Sequence, residues 1–171
     1  MKTKLILLLL AVLIELALLR LGFWQLSRAQ EKQAQQQQAS EVLEKRQAIV
    51  LQGFDPTSHR IEWAQGELRF LPAPLVLLDN QRREQTVGVS VYQLAMSSDG
   101  QALLVDLGWL PVPGNRQMPK PRALEGLLSV QGLLMPPPSK GLAMGPALTE
   151  QADGSLLLTR FDNKALSESL A

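Results

Sequence analysis

The stretch Leu5–Leu26, LILLLLAVLIELALLRLGFWQL, decides how the rest of the chain is read. Fifteen of its residues are Leu, Ile, Val or Phe, and as a helix it would be about 33 Å long, enough for a hydrocarbon core of ~30 Å. Two residues object. Glu15 at mid-helix costs about 2.5–3.5 kcal/mol, while each large apolar residue returns about 0.3–0.6 kcal/mol. Arg20 lies near the end, where its long side chain can snorkel. Glu15 is therefore the main penalty, and insertion wins. A cleavable signal peptide would show an apolar core of about 7–15 residues and then a small-x-small site. Here the run is longer, and Leu-Leu-Arg-Leu-Gly-Phe-Trp-Gln supplies no such site, so residues 1–26 read as an uncleaved transmembrane anchor.

Upstream, Lys2 and Lys4 favour a cytoplasmic N-terminus, with Arg28 and Lys32 voting the other way. Glu15 and Arg20 stand about 140° apart on a helix and do not pair well with each other. Glu15 then needs either a partner helix or a proton. Downstream, Trp24, Arg28 and Lys32 recur at i, i+4 and i+8, continuing a stripe begun by Arg20. Two readings stay open for this stripe. It anchors the helix at the headgroups, Trp in the aromatic belt and cations on lipid phosphates, or it binds an anionic ligand such as haem propionates. Residues 27–47 are rich in Gln, Ala, Glu and Lys, strong helix formers, and predict a polar helical stalk that continues the membrane helix.

The 171 residues carry a net charge of only +1, which argues against a nucleic-acid surface and its clustered cations. With no cysteine, disulfides, thiolate zinc sites and CxxC redox chemistry are excluded, and the single histidine, His59, rules out a multi-histidine metal site within one chain.

From Ala48 the periodicity becomes β-like. Ala48–Phe54 is a strand candidate closed by Asp55-Pro56-Thr57-Ser58, with His59–Trp63 as its hairpin partner, then Leu68–Phe70. Leu75–Leu78 reads as a short strand ending at Asp79-Asn80. Thr86–Met96 alternates, with Val87, Val89, Val91 and Gln93 on one face and Tyr92 and Leu94 on the other. Ser97-Ser98-Asp99-Gly100 turns this strand into Gln101–Trp109. Pro111–Arg122, with four prolines, predicts an extended loop, and Pro136–Pro138 with Gly141 a stiff one. Leu127–Met135 and Ser155–Arg160 predict further strands. Asn163–Leu170 predicts a short helix capped by Asp162 or Asn163. The class expected is α+β: a transmembrane helix running into a polar helix, then a small antiparallel sheet or barrel-like domain over 48–171 with a short C-terminal helix.

No GxSxG, P-loop, GxGxxG or HExxH occurs, so no catalytic constellation is expected and the protein reads as non-enzymatic. His59 reads as a solvated loop residue. Asp55 and Asp99 read as turn formers, and Met96, Met118, Met135 and Met144 are too scattered for a copper(I) site. Asp106, inside a strand, is either solvent-facing or paired with a cation.

Three stretches together resemble the Surfeit locus protein 1 family of cytochrome c oxidase assembly factors. Leu21–Lys32 (LGFWQLSRAQEK) is similar to its LGxWQLxRxxxK signature, and Val50–Asp55 (VLQGFD) to its V-x-x-G-x-[YF]-D strand. Leu77–Arg82 (LLDNQR), Gly88, Asp99-Gly100 and Leu104–Pro111 (LVDLGWLP) are similar to its LDNR…G…DG…LVNRGWVP core, in order and in spacing. Two departures stand out. Asp106-Leu107 replaces the family's Asn-Arg before Gly-Trp, and the chain stops at Ala171, where members normally enter a second transmembrane helix bearing a histidine implicated in haem a binding. The resemblance thus implies a short form, lacking that helix, that serves oxidase maturation, with haem a as the cofactor handled.

The partners expected are cytochrome c oxidase subunits and membrane lipids, with no nucleic acid. Glu15, Arg20, Asp106 and Trp109 are the candidate partner contacts, and Trp24, Arg28 and Lys32 the candidate haem-propionate or headgroup contacts; no metal ligands are assigned. The alternative function is a bitopic scaffold of another cell-envelope complex, which commonly uses the same anchor–stalk–domain plan. Placement follows as single-pass in the bacterial inner membrane, N-terminus cytoplasmic and β-rich domain periplasmic.

Overall fold

A computed structural model describes residues 2–55, 58, 60–115, 117–138 and 145–170. The expectations for the Pro56-Thr57 turn, His59, Gly141 and Met144 fall outside them. The chain divides into two compact units, Met1–Gln47 and Ala48–Ala171.

The first unit is a single helix, α1 (Lys2–Lys45). The apolar stretch and the polar stalk join without a break because neither contains proline, and the stalk residues are good helix formers. Its large apolar residues from Leu5 to Leu26 are exposed, and the helix is long and apolar enough to cross a membrane. Along the polar half, Arg28–Glu31 (3.7 Å) and Glu41–Lys45 (3.5 Å) are ion pairs one turn apart, each worth about 0.3–0.5 kcal/mol. Arg46 ends the helix in the left-handed region (φ 44°), its N–H donating to Val42 O at 2.9 Å and its Nε to Leu43 O at 3.1 Å. Both bonds satisfy carbonyls that the last turn would otherwise leave bare.

The second unit is one mixed sheet of β1 (Ala48–Val50), β2 (Glu62–Phe70), β3 (Val76–Arg83), β4 (Thr86–Ser97), β5 (Ala102–Pro111), β6 (Gly126–Leu134), β7 (Leu148–Glu150) and β8 (Leu156–Leu158), followed by α2 (Asn163–Leu170). β2 carries β6 along one edge; on the other it has β1 beside Trp63–Gln65 and β4 beside Leu68–Phe70. β4 likewise carries β5 on one edge, with β3 and then β2 on the other. β8 and β7 continue the sheet beyond β3.

The α+β class holds, but the sheet is not wholly antiparallel: β1 runs parallel to β2, and β3 parallel to β8. The expected hairpin between Ala48–Phe54 and His59–Trp63 is therefore corrected. After Val50 the chain leaves the strand, and Leu51 drops into the core against Gly66, where an added Cβ would lie 2.9 Å from Leu51 Cβ. Gly53 turns the chain at φ +76°, and β2 then runs in the same direction as β1, as one strand where the sequence suggested two pieces. β3 also runs on past Asp79-Asn80 to Arg83, and β7 is a strand that the sequence pattern did not announce.

Among the described residues, three apolar clusters pack on the sheet. Val76, Leu78, Leu156 and Leu158 pack with Phe161 and Leu166 of the C-terminal segment, and Tyr92 and Leu104 lean on them. Leu77, Val89 and Val91 form another, and Leu51, Ala64, Leu68, Phe70 and Ala95 the third. Leu77, Val76, Val89 and Leu158 have no exposed surface, each contributing about 1.5–3 kcal/mol relative to exposure. Asp162 caps α2, its Oδ1 accepting the N–H groups of Lys164 (3.1 Å) and Ala165 (3.2 Å).

Candidate functional site

Two β-bulges frame the best-defined surface of the sheet. In β3, Leu78 faces Ser90 and Gln81 faces Gly88, so Asp79 and Asn80 together oppose one residue of β4. Asn80 takes the left-handed conformation (φ 57°) that asparagine tolerates; its N–H is held by Asp79 Oδ1 at 2.7 Å, and Gln81 Nε2 donates back to Asp79 O at 2.9 Å. In β5, Gly108 pairs with Val91 and Asp106 with Tyr92, leaving Leu107 as the extra residue. Gly108, at φ +119°, donates its N–H to Asp106 Oδ1 at 2.8 Å.

Between the bulges lies Trp109. Its indole N–H donates to Gln81 O at 3.0 Å, and the Arg83 guanidinium sits 5.5 Å from its ring centroid. The ring passes over Gly88, where an added Cβ would overlap both the indole and Leu110 O. The LDN, Gly88 and Gly-Trp motifs thus meet in space around one half-buried indole, held at its edge by a hydrogen bond and at its face by a cation.

On the same side of β4, Tyr92 packs edge-on against Phe161 (ring centroids 5.5 Å apart, interplanar angle 89°). Burial, and then the charge of Asp106, push the Tyr92 hydroxyl above its ordinary pKa. Asp106 is exposed and makes no ion pair among the described residues, which places it on the solvent-facing side.

A second junction joins the two remaining motifs of the sheet unit. Asp99, in the β4–β5 turn, accepts the Gly53 N–H at 2.7 Å on Oδ2 and the Ser97 hydroxyl on Oδ1. These two bonds, Ser97 first, hold its carboxyl below the usual carboxylate range. Gln52 Nε2 reaches Ser98 Oγ at 3.0 Å, and Gln101 Nε2 reaches Phe54 O at 3.2 Å. The Gly53-Phe54 and Asp99-Gly100 motifs are therefore two halves of one latch.

The other expected site residues lie in the helical unit. Trp24 is exposed, as are Arg28, which pairs with Glu31, and Lys32, and the three share one stripe of α1. Glu15 and Arg20 are exposed on the apolar half. The stripe offers two cations to carboxylates or phosphates but no side chain that ligates iron. Among the described residues no three His, Cys, Asp or Glu side chains group to hold a metal.

Sequence reasoning missed Arg83, Tyr92 and the buried Gln93. Gln93 bridges strand and loop: its Nε2 donates to Leu124 O (2.8 Å) and Leu71 O (3.3 Å), and its Oε1 accepts the Leu124 N–H (2.8 Å). Its place on the Val89–Val91 face was the available signal. The assembled groups make an aromatic and polar platform on the sheet.

No curated protein and no solved structure matches the chain. The family model described as the SURF1 family matches residues 12–171, which takes in most of α1 together with every strand and α2. With most of the apolar helix, both bulges and the latch inside that span, the chain belongs to the SURF1 family.

Proposed function

We propose that this protein is a membrane-anchored, non-catalytic assembly factor for cytochrome c oxidase. Helix α1 crosses the bacterial inner membrane with its N-terminus in the cytoplasm, and the β unit works in the periplasm on maturing oxidase subunits or their haem a. The family match over residues 12–171 carries this reading, because it runs through the apolar helix and the sheet alike. In support, Trp109 and Asp106 are displayed by paired bulges that fix them without burying them, as a contact surface requires. Glu15, in the apolar half of α1, meets a polar group of a partner helix.

Trp24, Arg28 and Lys32 hold the helix at the headgroups and present cations to haem propionates arriving there. Arg28→Ala and Lys32→Ala should each weaken haem a uptake by the purified protein; indifference to both removes the stripe from the haem route.

Deleting the gene should lower assembled oxidase and haem a while oxidase transcripts stay constant. Complementation with wild type should restore both, and Trp109→Ala should restore them only in part. Unchanged oxidase activity in the deletion strain would sink the proposal.

A further inference from the structure

Strand β6 pairs with β2 along its whole length and with no other strand among the described residues. The direction of its free groups follows from β2. Leu51 N–H donates to Gln65 O at 3.0 Å from the β1 side, and Leu71 N–H, just past β2, donates to Leu94 O at 3.1 Å on the β4 side. The odd-numbered residues of β2 therefore turn their main-chain groups away from β6. Their partners in register, Leu127, Ser129, Gln131 and Leu133, turn theirs outward by the same alternation. The even-numbered residues face the core, with Val130 and Leu134 packed on the cluster around Leu68 and Phe70.

Natural sheets guard such edges with bulges, charges, proline or brevity. The β5 edge has the Asp106–Gly108 bulge and ends in Pro111, and β7 is three residues long and ends in Glu150. β6 has none of these devices: GLLSVQGLL contains no charge and no proline, and its register with β2 is unbroken. Leu127 is 51% exposed, and even Leu128, on the core-facing side, is 37% exposed.

The strand also reads nearly alike in both directions about Val130. Laid antiparallel on its own copy, it sets Leu127 opposite Leu133, Ser129 opposite Gln131, each Leu128 opposite a Gly132, and Val130 opposite Val130. Each large residue of the core-facing set then meets a glycine or its own kind, and no like charges meet. The four outward-turned residues on each strand supply about eight main-chain hydrogen bonds. We infer that two copies of this chain pair through their β6 edges about a two-fold axis at Val130, joining their sheets into one. Such a contact is isologous and closes on itself, so it stops at the dimer.

The chain has no cysteine, which makes the test clean. The full-length protein in detergent should sediment as a dimer, and Val130→Cys should cross-link to itself under mild oxidation, because side chains of non-hydrogen-bonded antiparallel pairs approach most closely. Adding Ser129→Lys and Gln131→Lys places two lysine pairs directly across the axis, while within the single chain the first of these substitutions stands opposite Glu67, a favourable neighbour. That variant should fold normally, weaken the dimer about tenfold or more, and abolish the cross-link. A monomeric wild type, a Val130→Cys protein that stays uncross-linked, or a cross-link that survives the two lysines would each overturn the inference, as would a monomer whose β6 edge is covered by a strand of another protein.

Discussion

At Gly88 the sheet leaves no volume for a side chain, because the Trp109 indole and Leu110 O occupy the place of its Cβ. Gly88→Ala must push the indole off Gln81 O or spread β4 from β5, at a cost of about 3 kcal/mol. Tryptophan fluorescence should shift and the thermal midpoint should fall; a variant as stable as wild type would show that the ring does not depend on this gap. Across the bulge, Tyr92 offers a direct readout, since it is the only tyrosine in the chain. Burial first and Asp106 second raise its pKa, so its absorbance titration should lie above the ordinary value of about 10. Asp106→Asn removes the charge but not the burial, and the midpoint should fall part of the way back. A midpoint that Asp106→Asn leaves unmoved would exclude the carboxylate as a cause. The stability linked to this hydroxyl is complete below its unfolded pKa and is lost as pH rises through the folded one.

At the scale of elements, the latch between the Gly53 turn and the β4–β5 hairpin is sensitive to acid. Asp99 has its carboxyl pKa lowered by Ser97 and then by Gly53, so its contribution is present above the unfolded value near pH ~4 and is lost as pH falls through the folded one. Asp99→Asn should melt below wild type at pH 6, and the gap should close on acidification; a gap of constant size from pH 6 to 3 would rule the latch out as its cause. The hairpin that carries this turn was legible in the sequence because Val87, Val89 and Val91 alternate before a Ser-Asp-Gly turn. β3 was read short for a physical reason: Asp79-Asn80 is a turn signal spent on a bulge, with Asn80 left-handed inside a strand that continues. The direction of β1 was not legible, because local pattern sets which residues face the core but not whether neighbouring strands run parallel. For the site, Trp109 and Asp106 stood out by motif. Arg83, Tyr92 and Gln93 did not, since each draws its role from a residue far along the chain: Trp109, Phe161 and Leu124.

The whole molecule couples a helix that buries nothing within the protein to a sheet with its own apolar clusters. A soluble protein could not leave the Leu5–Leu26 face in water, where more than a dozen large apolar side chains would stand exposed together. The bilayer removes that cost for every one of them, and only Glu15 then needs a proton or a partner. The apolar run is too long for a signal-peptide core, so the helix should remain attached to the sheet it precedes. Protein extracted from membranes should therefore keep residues 1–26, detected as their own peptides by mass spectrometry, and it should resist washing with alkaline carbonate. A mature polypeptide that begins beyond Trp24 and is recovered without detergent would mean that α1 is only an address, and the tethered-assembly reading would lose its physical basis.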